Sequence, residues 1–410
     1  MFRKIKKDEL VRGSLILIIM LGIFNLFNYL FQISMAKLLG PVEFSAFAVL
    51  MSFIYIFGIP SEAIQTVVTR YTSRFNTQKK TGKIKDFFYR SIKKGFSISL
   101  VIFLVFVIAS FFISSLLDIS VPLLVITGLF IIYSFTIPVA RGVLQGKKKF
   151  FAMGGNLVVE SVVKFVFSII LVLIGFKVYG AIGSVIIGSI AAFFIVFLSL
   201  KDVIKSKRIK ENFKGIFSYN IPILIGMTSI ILIYSLDVII ARFFFSPEIS
   251  GKYSFVSLIA KSILFASFAI GKAMFPISSE RFEKKTETSS LFKKSMLLTF
   301  MISILALIFF FFAPEFVIKV LSLWDSRYIE ASNVLFILGL GFSFAAFSYI
   351  LILYNISINK MKKSAYGLLI FILLEFVLLS IFNSSLLEFS ISLTIVNFLM
   401  LLYNLWILKK

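Results

Sequence analysis

Residues 95–117 read GFSISLVIFLVFVIASFFISSLL, preceded by Arg90, Lys93 and Lys94 and followed by Asp118. No charged side chain interrupts the run. At roughly 1.5 Å per residue, a helix of this length crosses the roughly 30 Å hydrocarbon core of a bilayer. A helix also pairs all of its backbone polar groups within itself, which lipid demands. The same pattern recurs in both directions along the chain. Twelve segments qualify, near 13–36, 43–69, 95–117, 121–142, 150–174, 179–200, 215–241, 250–275, 295–320, 331–357, 364–382 and 387–407. The sequence therefore predicts an all-α polytopic membrane protein. Composition agrees: the 410 residues are 59% hydrophobic, leaving too little polar surface for a soluble chain of this size. The 52 Phe residues suit lipid-facing helices and interfacial belts.

The loops separate by charge. Of the 43 basic residues, 35 lie in the N-terminal segment, five alternate loops and the C-terminus. The intervening loops hold only Lys37, Lys177, Arg242, Lys252, Lys319 and Arg327, and just Lys164 and Lys261 fall elsewhere. The positive-inside rule then places both termini in the cytoplasm of a cell-membrane protein, and the alternation requires an even number of spans. The net charge of +24 is thus topological and does not imply a nucleic-acid partner. The first apolar run is too long for a signal-peptide core and lacks a small-residue cleavage site, so it reads as a retained helix.

Cys and His are both absent. That removes thiolate nucleophiles, imidazole acid/base catalysis and the commonest zinc sites. No acidic cluster is present to hold Mg²⁺. No metal, cofactor or catalytic residue is expected.

The charged stretch Lys201 to Lys214 divides the chain into two six-helix lobes, 1–205 and 206–410. A weak internal echo supports this. Ala36-Lys37, Glu43 and Ser45 line up with Ala241-Arg242, Glu248 and Ser250 at one offset. Arg74-Phe75 matches Arg281-Phe282, and Lys147-Lys148 matches Lys362-Lys363, in the same order. Two such bundles related by a pseudo-two-fold axis along the membrane normal would enclose a central cavity, as in transporters built from parallel repeats.

The stretch AKLLGPVEFSAFA over residues 36–48 resembles the xxLGPxEYGxYA signature of polysaccharide transporters, with Phe44-Ser45 where the signature has Tyr-Gly. The Gly142-to-Gly146 stretch, GVLQG, with the basic run after it, resembles the family's xLQGxxRF element, and DVIIARFF from Asp237 resembles its second-half counterpart. The chain therefore resembles the O-antigen-type lipid-linked oligosaccharide flippases of the multidrug/oligosaccharidyl-lipid/polysaccharide (MOP) superfamily. The resemblance implies a two-lobed carrier working by alternating access, and no enzyme. It implies movement of an isoprenoid-linked oligosaccharide between leaflets, by a monomer in contact with membrane lipids and glycan-assembly machinery.

Ionisable side chains within spans are costly and should face a cavity or a partner. Asn156, Glu160, Lys164 and Ser168 recur every four residues on one face of the fifth span, and Glu160 and Lys164 can pair at i,i+4. Ser254, Ser257 and Lys261 share a face of the eighth. Asn25, Asn28 and Gln32 form a polar stripe on the first span, and Glu62, Thr66, Thr69 and Arg70 another on the second, after a Gly58/Pro60 bend. A cavity lined by Arg70, Arg74, Arg141, Lys164 and Lys261 would suit the pyrophosphate of a lipid-linked sugar, with the polar stripes bonding the sugars. The plain alternatives are interface positions for Arg70, Arg74 and Arg141, a neutral structural bridge for Glu160–Lys164, and a local pair of Asp237 with Arg242. Glu62, Glu160 and Asp237 are candidates for ion or proton coupling, and Glu375 a weaker one. The rival reading is a cation-coupled multidrug antiporter on the same scaffold. It fits less well, because the first span has no carboxylate and the buried charge leans cationic.

Overall fold

A computed structural model describes residues 9–210, 221–358 and 361–409. They form helices almost throughout, with no strand among them. In chain order these are α1 (Glu9–Phe57), α2 (Ile59–Thr77), α3 (Thr81–Leu117), α4 (Val121–Gly146), α5 (Phe150–Leu171), α6 (Lys177–Ser199) and the short α7 (Lys201–Lys205). Then follow α8 (Ile221–Phe244), α9 (Pro247–Glu283), α10 (Ser289–Phe312), α11 (Pro314–Leu321), α12 (Leu335–Ser357), α13 (Met361–Ile381) and α14 (Leu386–Lys409).

Eight helical stretches among the described residues are long and apolar enough to cross a bilayer. Two of them, Ile19–Thr77 and Phe150–Ser199, each carry two of the expected spans. The expected seventh and eleventh spans are α8 and α13, and residues 215–220 of the seventh lie outside the described residues. The bend at Gly58/Pro60 is present: α1 stops at Phe57 and Pro60 sits in the first turn of α2, where its missing N–H costs nothing. The ninth span differs from expectation. Pro314 ends α10 after Phe312, and residues 314–321 form a separate short helix.

The chain packs as two units, residues 1–39 with 53–219, and residues 40–52 with 220–410. In the first, Val68, Phe75, Phe87, Phe88, Val143 and Leu144 form the centre of an apolar core with Val196 and Val203. Gly142 and Gly146 let α2 lie close, since a Cβ there would meet Val68 at 2.8 Å and Thr72 at 2.6 Å.

Burial on α3 and α10 shows lipid acting as solvent. On α3, Ser91, Gly95, Ser99 and Phe106 point inward, while Val101, Val105, Ile108 and Phe112 are exposed. At one offset, α10 repeats the inward set as Ser295, Thr299, Ser303 and Phe310, with Met301, Leu305 and Phe312 exposed. Each buried Phe also meets a glycine of another helix in its own unit: Phe106 faces Gly128 and Phe310 faces Gly339. The internal echo of the sequence thus extends to packing inside each unit.

The units are not the consecutive halves 1–205 and 206–410. Lys207 to Ile209 stay with the first unit. Lys85 donates to the carbonyls of Ile204 (2.6 Å) and Ser206 (2.8 Å), Arg208 pairs with Asp86 at 2.6 Å, and Ile209 N–H reaches the Gly82 carbonyl at 3.1 Å. Residues 40–52, from the first half of the chain, belong to the second unit. Gly40 breaks α1 with φ +69°, lying under the Arg327 guanidinium. Phe44 packs edge-on against Phe255 and Tyr328. Ser45 donates to Ser250 at 3.1 Å and accepts from Arg242 at 3.2 Å. Ser45 and Ser250 are the very residues that the sequence echo aligns. Beside them, a Cβ on Gly251 would overlap the Pro41 backbone, which has no side chain to move aside. Gly251→Ala is therefore expected to cost about 1–3 kcal/mol of stability by overpacking, read as a lower thermal midpoint in detergent.

Candidate functional site

The four-residue rhythm of α5 sets Asn156, Glu160 and Lys164 on one face, and α4 brings Arg141 and Tyr133 against it. Glu160 accepts from Arg141 at 2.5 Å and from the Tyr133 hydroxyl at 2.7 Å, through the same oxygen. Arg141 also donates to Asn156 at 2.8 Å and to the Tyr133 oxygen at 3.1 Å, and Asn156 donates to the Ala192 carbonyl of α6 at 2.6 Å. The expected Glu160–Lys164 pair is therefore replaced by Glu160–Arg141. The planar guanidinium can serve Glu160, Asn156 and Tyr133 together, which an ammonium on a single stem cannot.

Lys164 turns the other way. It donates to the Asn28 side-chain oxygen and lies 4.7 Å from the Phe31 ring centroid on α1. The Asn28 amide is fixed by a bond to the Phe24 carbonyl at 2.7 Å, which presents its oxygen to the ammonium. Lys164 is 7% exposed, and no carboxylate among the described residues forms a salt bridge with it. The polar stripe of α1 and the charged face of α5 thus meet at one buried cation balanced by a neutral amide and a ring.

The other first-unit candidates lie apart from this cluster. Gln32 donates to Tyr55 at 2.7 Å, and Asn25 is exposed. Glu62, Arg70 and Arg74 are exposed on α2. Between them Gln65 and Thr69 both bond Gln145 of the quoted GVLQG stretch, at 2.9 and 3.1 Å. Beyond α4, Lys147 and Lys149 clasp Asp202 at 2.5 and 2.8 Å. Partial burial pushes the Asp202 carboxyl up, but the two lysines outweigh it and hold it below the usual carboxylate range.

In the second unit, Asp237 of α8 accepts from Lys261 at 2.8 Å, Ser257 at 2.7 Å and Tyr253 at 3.1 Å, all on α9. The partner of Asp237 is thus Lys261, and not the neighbouring Arg242. Lys261 also lies 5.2 Å from the Phe342 ring centroid. Glu375 of α13 is fully buried, and neither of its oxygens has a hydrogen-bond partner. No group of three acidic, His or Cys side chains that could hold a metal occurs among the described residues.

Tyr133 and Tyr253 escaped the sequence reading. The signal was available in both cases. Tyr253, Ser257 and Lys261 are spaced by four, and Tyr133 lies eight residues, about two turns, before Arg141.

The sequence matches the family described as polysaccharide biosynthesis protein over residues 34–333. An uncharacterized membrane protein of Methanocaldococcus jannaschii is 27% identical over 276 residues, which is 59% of this chain and 65% of that protein. A second from the same organism is 28% identical over 153 residues, 37% of this chain and 29% of its own length. The chain thus spans less than two thirds of the length of these relatives. Among solved structures, an inward-facing multidrug resistance MATE family transporter of the MOP superfamily superposes with a TM-score of 0.79 at 15% identity, covering 96% of this chain and 97% of the other. The lipid II flippase MurJ, in an inward closed conformation, gives 0.70 at 18% identity, covering 96% and 88%. These likenesses establish the fold. With a family match over most of its length, this multi-pass membrane chain belongs to the polysaccharide biosynthesis protein family and has the fold of the MOP-superfamily transporters.

Proposed function

We propose that the protein is a flippase that moves an isoprenoid-pyrophosphate-linked oligosaccharide across the cytoplasmic membrane, with both termini in the cytoplasm, by alternating access of two lobes around a cationic cavity. Lys164 carries this reading. A buried ammonium with no carboxylate at salt-bridge distance among the described residues is costly in a membrane and favours an anionic ligand. Arg141 and Lys261 are occupied by Glu160 and Asp237, so their role is to order the helices around the site. Arg70 and Arg74 are exposed and would take the same phosphates.

The test is translocation of a fluorescent isoprenoid-pyrophosphate oligosaccharide in liposomes. A charge-assisted hydrogen bond is worth about 1.5–3 kcal/mol, so Lys164→Met is expected to slow translocation roughly 10- to 100-fold. Thermal stability should hold or rise, because an unpaired buried charge has been removed. Translocation unaffected by Lys164→Met, Arg70→Ala and Arg74→Ala would sink the cationic site. Proton- or sodium-driven efflux of organic cations, with no lipid translocation, would make the multidrug antiporter the better reading.

A further inference from the structure

Between the ninth and tenth spans the chain reads APEFVIKVLSLWD over residues 313–325. Pro314 stops α10 after Phe312, and Pro314–Leu321 fold as α11. In the first unit α3 passes to α4 through residues 118–120 alone. Since α3 and α10 otherwise repeat one another in burial, α11 is an addition to the second unit.

The added helix has two faces. Ile318 is fully buried on one, and the turn after it is closed from the inside. There the Ser322 hydroxyl accepts from the Asp325 N–H at 3.0 Å and donates to the Asp325 carbonyl at 3.1 Å. On the other face Phe316, Val320, Leu323 and Trp324 are exposed, spaced as one stripe of a helix. Trp324 is 69% exposed and Phe316 56%, too much for residues of a packed core. The charged side chains of α11, Glu315 and Lys319, pair with each other at 3.4 Å, so the helix carries no net charge.

The backbone is strained where it presents this stripe. The Trp324 N–H reaches the Lys319 carbonyl at 2.6 Å and the Leu323 N–H the Val320 carbonyl at 3.2 Å, which is a Schellman turn. Leu323 and Trp324 both take left-handed φ, +54° and +60°, where glycine is the usual residue and bulky side chains are outliers. Strain of this kind persists where the surroundings impose it and the conformation serves a purpose. Here it turns an apolar pair outward. The exposed stripe adjoins a surface already given to lipid, since Leu305, Ile308 and Phe312 of α10 are exposed as well.

We propose that α11 and the Leu323–Trp324 turn form an interfacial anchor whose partner is the boundary layer of the outer leaflet. Phe316, Val320 and Leu323 enter the acyl edge, and the Trp324 indole lies at headgroup level, where its ring is apolar and its N–H finds water or lipid oxygen. The anchor fixes the junction of α10 and α12 at the membrane surface. Because Glu315 and Lys319 cancel, insertion depends on apolar contact and not on lipid charge. The choice of leaflet rests on the topology proposed above, but the insertion itself does not.

The test uses the tryptophans. Trp324 and Trp406 are the chain's two, so Trp406→Phe leaves Trp324 as the only indole. The full chain with this change is reconstituted in phosphatidylcholine vesicles whose acyl chains carry bromine near the carboxyl end or near the methyl end. Trp324 emission is expected to be quenched several-fold more by the shallow bromines than by the deep ones, and little by iodide on both sides of the membrane. Added salt or anionic phospholipid should not change this. If Trp406→Phe fails to fold, the difference between wild type and Trp324→Phe gives the same reading. Quenching by iodide in place of bromine puts the turn in water and overturns the proposal. So does quenching strongest from the deep bromines, which would make the stretch part of a span. Quenching by neither would mark a protein cover, such as a second copy of the chain, and overturns it too. The leaflet is read separately. The chain has no Cys, and Ser326 is exposed beside the turn, so Ser326→Cys should react with a membrane-impermeant maleimide added outside intact cells. Reaction only after lysis overturns the outer-leaflet assignment and the topology with it, while the depth measurement stands by itself.

Discussion

Glu160→Ala should destabilise the protein by about 3–5 kcal/mol, the usual cost of removing one partner from a buried ion pair. Glu160 is the only carboxylate that forms a salt bridge with Arg141 among the described residues, and it also accepts a hydrogen bond from the Tyr133 hydroxyl. Its loss leaves Arg141 and Lys164 as two buried cations within one short stretch of α4 and α5. Arg141→Met should cost clearly less. It frees Glu160 to pair with Lys164 four residues along the same helix, the arrangement that spacing alone suggests. Thermal unfolding of the two variants in detergent measures the contrast, and equal losses would show that the network is not organised around Glu160. Lys164→Met in the Glu160→Ala background should recover part of the loss, because it removes one of the two unbalanced charges.

Asp237→Ala has a cost that depends on Glu375. Alone, it removes the acceptor of Lys261, Ser257 and Tyr253, yet leaves a second buried carboxyl within reach of the same ammonium. Glu375 can take over Lys261, so the single variant should lose stability by no more than roughly 2 kcal/mol, about half the usual penalty for a broken buried pair. In the Glu375→Gln background the substitute is gone, and the same change should cost about 3–5 kcal/mol. The excess over the two single changes is a coupling energy of the kind seen between residues that share a partner. Additive losses would mean that Glu375 and Lys261 do not communicate. Lys261→Met added to the double variant should restore most of the stability, since a buried pair replaced by apolar groups is often neutral.

The two clusters differ in the sign of what they leave unbalanced. In the first cluster Arg141 and Lys164 share the neighbourhood of one carboxylate, Glu160, and in the second Asp237 and Glu375 share that of one lysine, Lys261. That division is consistent with a carrier for an anionic lipid head.

Much of the fold was legible in the sequence because lipid imposes a local rule. Each span must satisfy its own backbone and show apolar side chains over a fixed length, so the apolar runs, the alternating basic loops and the Gly58/Pro60 break follow from neighbouring residues alone. The four-residue spacing of Asn156, Glu160 and Lys164 was legible for the same reason. The choice of partner was not. Glu160 and Lys164 look like a pair in sequence, as do Asp237 and Arg242, but helix packing offers Arg141 to the first and Lys261 to the second. A buried charge takes whichever neighbour gives the best hydrogen-bond geometry with least exposure to lipid, and that neighbour is set by which helices touch. The seating of residues 40–52 in the second unit is a tertiary decision too. The Gly40 break and the absent side chain of Gly251 permit it, but only the close approach of Pro41 to Gly251 and the Ser45–Ser250 bond show what that freedom is for.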